Sequence, residues 1–389
     1  MEIKANYQDL TMDRKHFLEI TMGTAAAVVV SSIPNITFAN MRTFDVKQTT
    51  VQSCQATSQL AMAQNSELVR NAYSYIRKTV NEIRDIDLRN AVNGIINNPA
   101  PTFMKRYLDD QSKQVIWQRL VNANLLDHNV SFSSLFPPCA NPSVRPQEFI
   151  SAPGSGFSSH HSYPGGLSTH VATNLKITLS IYQTYSDIFA YNLDKNVIIA
   201  AQALHDLHKP WVLQWQDDAS PLPELSIAGT GAHHIFGLAE VMYRDFPAEV
   251  IIAQACAHNH PGSPKEEADV VAWLKTASMI AGKDPVQNGY LASSGITLPI
   301  PHRQEGYIVH LGDHDWVLSV DAAQKIVSVL QNIARMEYGF SESDLKTKKF
   351  NSFRNYVGSQ ISLMKLHHLM SVSGEPAVTE AVRKVVSPD

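Results

Sequence analysis

The sequence predicts an all-α protein, and three observations carry that prediction. Apolar residues return at the three- and four-residue spacing of a helical face over most of the chain. Two segments, Asn196 to His208 and Ala248 to Ala257, are apolar on nearly every side, as helices at the centre of a fold are. Strand-like character is confined to Gly306 to Ser319, read as a short hairpin around Gly312-Asp313, packed with the last helices on the core. With 389 residues, 44% of them hydrophobic and 17% charged, the chain has ample material for a core. The formal net charge of −4 argues against a protein that holds nucleic acid by bulk electrostatics, while leaving room for a small phosphorylated substrate. Cys54, Cys139 and Cys256 are too few for a disulfide scaffold; three thiols is the simpler reading, and a Cys54–Cys139 bridge requires export.

Residues 1–39 read as an export signal. Arg14 and Lys15 precede Phe17 and Leu18, a mildly apolar stretch runs from Ile20 to Val30, and Thr37-Phe38-Ala39 offers small residues for cleavage. The order RKHFLEI resembles a twin-arginine signal with lysine in the second basic place, and Met12 fits as its start. That resemblance implies a periplasmic destination; the alternatives are a buried helix or a retained anchor in a cytoplasmic protein. The stretch is too short to span a bilayer comfortably, and no other segment has the length for a transmembrane helix.

Residues 40–154 begin with a polar linker over 41–57. A helical run follows from Gln59 to about Ile96, with Leu60, Leu68, Ile76 and Val80 among its apolar positions. Asn97, Asn98, Pro99 and Pro101 end it; a helix over Phe103 to Leu126 comes next, then a proline-rich loop from Ser131 to Ser159. Residues 155–285 form the central segment. Gly165-Gly166 opens a helix from Leu167 to Phe189, with His170 at the edge of its apolar stripe. The helix from Asn196 closes before Pro210 with His205 and Asp206 at its end. A polar insert (Trp211 to Gly231) leads to helices over His233 to Tyr243, Ala248 to Ala257 and 265–282. Residues 286–389 add the hairpin and helices over Asp321 to Tyr338, Ser341 to Met370 and Glu375 to Val386.

The chemistry concentrates in HHSYPGGLSTH (His160 to His170) and ALHDLHKPW (Ala203 to Trp211), followed by His234 and His258. Imidazoles and carboxylates in apolar segments are costly unless they pair or bind a metal. Histidines at the starts of two helices (His170, His234) and at the end of a third (His258) can converge on the end of the helix bearing His205 and Asp206. Such ligands suit one or two divalent ions among zinc, manganese, iron, cobalt and nickel, and no cysteine pair suggests a zinc finger.

The order H, HD, H, H across a helical domain resembles the HD-domain metal-dependent phosphohydrolases, in the variety whose first histidine follows an HH-x-x-x-GGL run. The resemblance covers about residues 155–285. It implies that His170, His205 and Asp206 bind one metal, and that Asp206 bridges to a second held by His234 and His258. His233 and His260 are the alternatives at those last two places. Lys209, in HD-x-x-K, would pair with a substrate phosphate, and His208 would at most support the site. The family's last ligand is an aspartate in an alanine–aspartate pair; here the matching residues are Ala277-Ser278, and Asp269 and Asp284 lie too far along the chain to replace it. Ser278 is a poor ligand, so the first metal would keep three protein ligands and more open positions, or be weakly held, or the site would be inactive.

The resemblance implies hydrolysis of a phosphate ester, such as a nucleotide, by metal-activated water. Two alternatives stand beside it: an HD-fold di-iron oxygenase, and a scaffold without activity, motivated by Ser278. No phosphate-cradling glycine loop, nucleophile elbow or dinucleotide fingerprint competes. His160 and His161 either line the entrance or anchor their loop. Trp211 and Trp215 read as loop packing. His310, Asp313 and His314 read as a solvated hairpin tip, and His367-His368 as helix surface.

Overall fold

The computed structural model describes residues 44–126, 129–157 and 159–388; the expected export signal lies outside them. The architecture is all-α, with only four two-residue strands among the described residues. It departs from the expected linker over 41–57 at residues 49–56, which form β1 (Thr49–Thr50) and α1 (Val51–Ala56). Thr50 caps α1 by accepting from the Ser53 N–H, and Val51 and Cys54, one turn apart, bury the same face. The run from Gln59 divides into α2 (Gln59–Asn65), α3 (Glu67–Val80) and α4 (Ile86–Asn97), because Ser58, Ser66 and Asp85 each cap a new start. The helix expected from Phe103 is a 3-10 turn (Thr102–Arg106) followed by α5 (Asp110–Asn122), which Asp109 caps. Among its described residues, the proline-rich stretch holds only short 3-10 turns, at Phe132–Ser134 and Phe149–Ser151.

The middle of the chain supplies α6 (Gly166–Phe189), α7 (Lys195–Leu204), the single turn α8 (Lys209–Val212), and α9 (Ala232–Tyr243), α10 (Ala248–Ala255) and α11 (Pro264–Ala281). The insert contributes β2 (Ser226–Ile227) and β3 (Thr230–Gly231), an antiparallel pair. Most side chains of α7 and α10 are buried, so these two form the centre of the larger hydrophobic cluster.

The expected hairpin does not exist. Gly306 to Ser319 spans the end of α12 (Arg303–Gly312) and the start of α13 (Trp316–Tyr338). Gly306 and Gly312 mark close approaches between helices, not turns. A Cβ on Gly306 would lie 2.6 Å from Cys256 Sγ, and one on Gly312 would lie 1.7 Å from Thr178 Oγ1. The C-terminal helices also divide differently, into α14 (Lys348–Ile361) and α15 (Leu363–Val385), parted by Ser362 at φ 70°. Residues 374–376 kink α15, where Gly374 takes φ 74°.

A second hydrophobic cluster joins α1 to α13, α14 and α15, and β4 (Val386–Ser387) runs parallel to β1. Val51, Cys54 and Met62 thus share a core with the C-terminal helices. Cys54 is buried in the second cluster and Cys139 packs against the first, so the two do not bridge. Buried Arg354 ties α14 to the loop before α6, donating to the Phe157 and Ser162 carbonyls at 2.7 and 2.6 Å. No helix of the described residues is long and apolar enough to cross a membrane.

Candidate metal centre

The centre starts from the two glycines before α6. Gly165 adopts φ 89°, and a Cβ on Gly166 would sit 1.6 Å from the His161 carbonyl oxygen. Only glycine there lets the loop fold across the first turn of α6, with the Gly154 N–H donating to that same carbonyl at 2.9 Å. His170 follows on the next turn and is buried. At the end of α7, the His205 Nδ1–H donates to the Gln202 carbonyl at 2.8 Å, which leaves Nε2 directed inward.

Four side chains meet at that point. His170 Nε2 lies 3.3 Å from His205 Nε2, 3.1 Å from Asp206 Oδ2 and 3.3 Å from Asp313 Oδ1. His205 Nε2 is 3.3 Å from Asp206 Oδ2 and 3.4 Å from Asp313 Oδ1. Asp313, at the C-terminal end of α12, is therefore not a solvated tip; it is 4% exposed and accepts from Asn174 Nδ2 at 2.5 Å. It brings a second carboxylate to His170 and His205 from outside 155–285. Ser278 does not reach the cluster: its hydroxyl is buried against Met242 Sδ at 3.5 Å. Asp269 bonds Asn259, and Asp284 caps a turn at Val286 and Gln287.

A second grouping shares Asp206. Its Oδ1 lies 3.1 Å from His233 Nε2 and 3.9 Å from His258 Nε2, and His258 Nε2 is 3.8 Å from Asp313 Oδ2. The structure places His233, not His234, in this position. The His234 Nε2–H donates to the Ala255 carbonyl at 3.2 Å, and its ring packs on His258 and Trp273 at 4.2 and 5.0 Å. His260 turns away to Glu266 at 3.2 Å. Glu224, from the insert, accepts from His233 Nδ1–H at 2.5 Å.

A third grouping borders the first: the His161 Nε2–H donates to Asp315 Oδ2 at 2.6 Å, within 4.8 Å of a His170 ring nitrogen. His161 is thus held in its loop by α13, while the His160 ring, only partly buried, lies 5.0 Å from His170. Lys209 Nζ is buried between Asp206 Oδ2 and the Gly154 carbonyl, at 2.5 Å from each. His208 lies behind the centre, 3.6 Å from Glu240, whose carboxylate accepts from Thr102 and Arg244. Trp211 and Trp215 hold down the loop, through Pro138 and Ser151 carbonyls.

The electrostatics follow from two buried carboxylates. Burial alone would raise the Asp206 pKa, but His205 and Lys209 hold it well below the usual carboxylate range, and His205 and His170 do the same for Asp313. Burial alone would depress His205, yet Asp206 and Asp313 raise its pKa to about 10. Burial is likewise overcome at His233, which Glu224 and Asp206 raise to about 9. Burial and the neighbouring His233 lower His234 to about 3, and burial with His234 and His233 takes His258 well below its ordinary value. Both oxygens of Asp206 are buried, Oδ2 facing Lys209 Nζ and His170 Nε2 and Oδ1 facing His233 Nε2, with no contact to solvent. Protons on His205 and His233 balance the acids, and a divalent cation would supply the same charge to the same lone pairs. The donor set, imidazole nitrogen and carboxylate oxygen in a dry interior, fits such an ion.

Over 115 residues, at 30% identity, the chain is similar to a dihydroneopterin 2',3'-cyclic phosphate phosphodiesterase of Methanocaldococcus jannaschii. The match covers 30% of this chain and 45% of that relative, so the chain spans less than half the length of the curated relative it matches. No protein family pattern matches the chain, and no solved structure does.

Two of the predicted positions had neighbours that decide them. His233 and His234 are adjacent on α9, about 100° apart around its axis, so only the rotation of α9 in the core selects one. Asp313 carried a signal, its place between His310 and His314, that the hairpin reading discarded. Glu224 carried none.

Proposed function

We propose that the chain is an HD-domain phosphohydrolase that cleaves a phosphate ester with one or two divalent cations, and that a phosphodiester is the substrate class. The observation that supports it best is the buried meeting of His170, His205, Asp206 and Asp313, in which each imidazole Nε2 lies 3.1 to 3.4 Å from an oxygen of both carboxylates. In this reading these four residues hold one cation, and Asp206, His233 and His258 hold a second. A bound divalent ion supplies a water that ionises near neutral pH and offsets charge on the phosphoryl oxygens. The chain's own groups prepare the site. The Gln202 carbonyl fixes the His205 tautomer, and Asn174 holds Asp313 in place. Lys209 keeps Asp206 ionised and places a positive charge beside an arriving phosphate. The printed activity of the relative supports the choice of diester. A buried carboxylate at Asp313, beside His170 and His205, supports this reading over the scaffold alternative that Ser278 motivates.

The test is elemental analysis of the purified full-length chain, with hydrolysis of bis(p-nitrophenyl) phosphate and 2',3'-cyclic nucleotides before and after chelation. Stoichiometric metal and a chelator-sensitive diesterase are expected. Metal-loaded protein that consumes oxygen and releases no phosphate product would favour the oxygenase alternative, and metal-free inactive protein would favour the scaffold. The same proposal keeps residues 1–39 as an export signal; N-terminal sequencing of periplasmic protein checks it, and an intact Met1 in the cytoplasm would contradict it.

A further inference from the structure

The insert between α8 and α9 carries no motif, yet its Glu224 makes two hydrogen bonds to one histidine. Glu224 Oε1 accepts from the His233 backbone N–H at 2.8 Å and from His233 Nδ1–H at 2.5 Å. With Nδ1 committed as a donor to Glu224, Nε2 is the nitrogen that would exchange its proton for a cation, and it faces Asp206 Oδ1 at 3.1 Å. Gly231 makes room for this pair. A Cβ there would stand 2.8 Å from the His233 ring and 2.9 Å from Glu224 Oε1, although its φ of −64° suits any residue. The insert is anchored elsewhere as well: Asn351 and Asn355 of α14 donate to the Asp218 and Ala219 carbonyls at 2.9 and 2.8 Å.

We propose that Glu224 is a positioning residue for a second divalent cation, fixing the tautomer and aim of His233, so that this cation depends on the insert while the first does not. The inference rests on the hydrolase reading above. A carboxylate behind a metal-bound imidazole orients the ring and raises its basicity, and its loss costs about 10- to 100-fold in metal affinity.

The probe is Co²⁺ titrated into the metal-free full-length chain, followed by calorimetric stoichiometry and visible absorption. Wild type should take up two ions. Glu224→Ala should bind the first unchanged and the second about 10- to 100-fold more weakly, with Glu224→Gln, which keeps an acceptor but not the charge, in between. Gly231→Ala should resemble Glu224→Ala, since its methyl group displaces the same ring. In a His233→Ala background, Glu224→Ala should change nothing further, which separates action through His233 from a general loss of stability. Two ions bound with unchanged affinities by Glu224→Ala, or a wild type that takes up only one, would overturn the inference. Wild type that takes up none would overturn it too, and would mark the hydrolase reading itself as the failure.

Discussion

Asp313→Asn probes the centre at the residue that the sequence pattern did not supply. The substitution keeps an oxygen at nearly the same place and removes one negative charge. Asp313 Oδ1 sits 3.3 Å from His170 Nε2 and 3.4 Å from His205 Nε2, so a cation bound by those nitrogens lies beside it. A unit charge pair at about 3.3 Å is worth about 5 kcal/mol at an effective dielectric of about 20. If desolvation of the carboxylate takes back roughly half, about 2–3 kcal/mol is left, or roughly a hundredfold in metal affinity. The assay is chelator competition on the loaded protein, with diesterase turnover measured at saturating metal, and Ser278→Ala run in parallel as the variant that the family pattern would have chosen. Asp313→Asn should lose affinity by that factor while Ser278→Ala keeps both affinity and turnover, its methyl group resting on Met242. The opposite outcome, with Ser278→Ala losing the metal and Asp313→Asn retaining it, would refute the geometry of the centre.

Other expectations follow from the same contacts. Asp206→Ala removes the carboxylate whose Oδ2 faces His170 and His205 and whose Oδ1 faces His233, so metal uptake by elemental analysis should fall well below that of wild type; undiminished uptake would take Asp206 out of the centre. Lys209→Met should leave metal stoichiometry intact and lower kcat/KM on a diester at least about tenfold, since the charge 2.5 Å from Asp206 is gone; an unchanged kcat/KM would remove Lys209 from the reaction. For Glu240, burial alone would raise its pKa, but His208, Arg244 and Thr102 lower it from 4.5 to about 2. A depressed acid stabilises the fold fully above its unfolded pKa and loses that contribution as pH falls from about 4.5 through about 2, here about 3 kcal/mol. Denaturant melts of Glu240→Gln should therefore show a flatter acid limb than wild type over that window, and coincident slopes would show that Glu240 does not govern it.

The sequence by itself determined the helical class, the buried character of α7 and α10, and the meeting of His170 with His205 and Asp206. Each of these is written in local terms: periodic apolar spacing, a glycine pair that only a tight turn requires, and a histidine–aspartate pair at the end of an apolar helix. Tertiary packing decided the rest. His233 and His234 have the same neighbours along the chain, and the contacts of α9 with Trp273 and the Ala255 carbonyl turn His234 aside and leave His233 facing Asp206. Asp313 arrives from more than a hundred residues past Asp206 because Gly312 lets α12 touch Thr178, an approach that looks like a turn when only the sequence is read. Glu224 reaches His233 from an insert with no periodicity at all. Helices follow from interactions between near neighbours, whereas a metal centre needs lone pairs from distant segments to point at one place. That direction is fixed by which side chains fill the core around them.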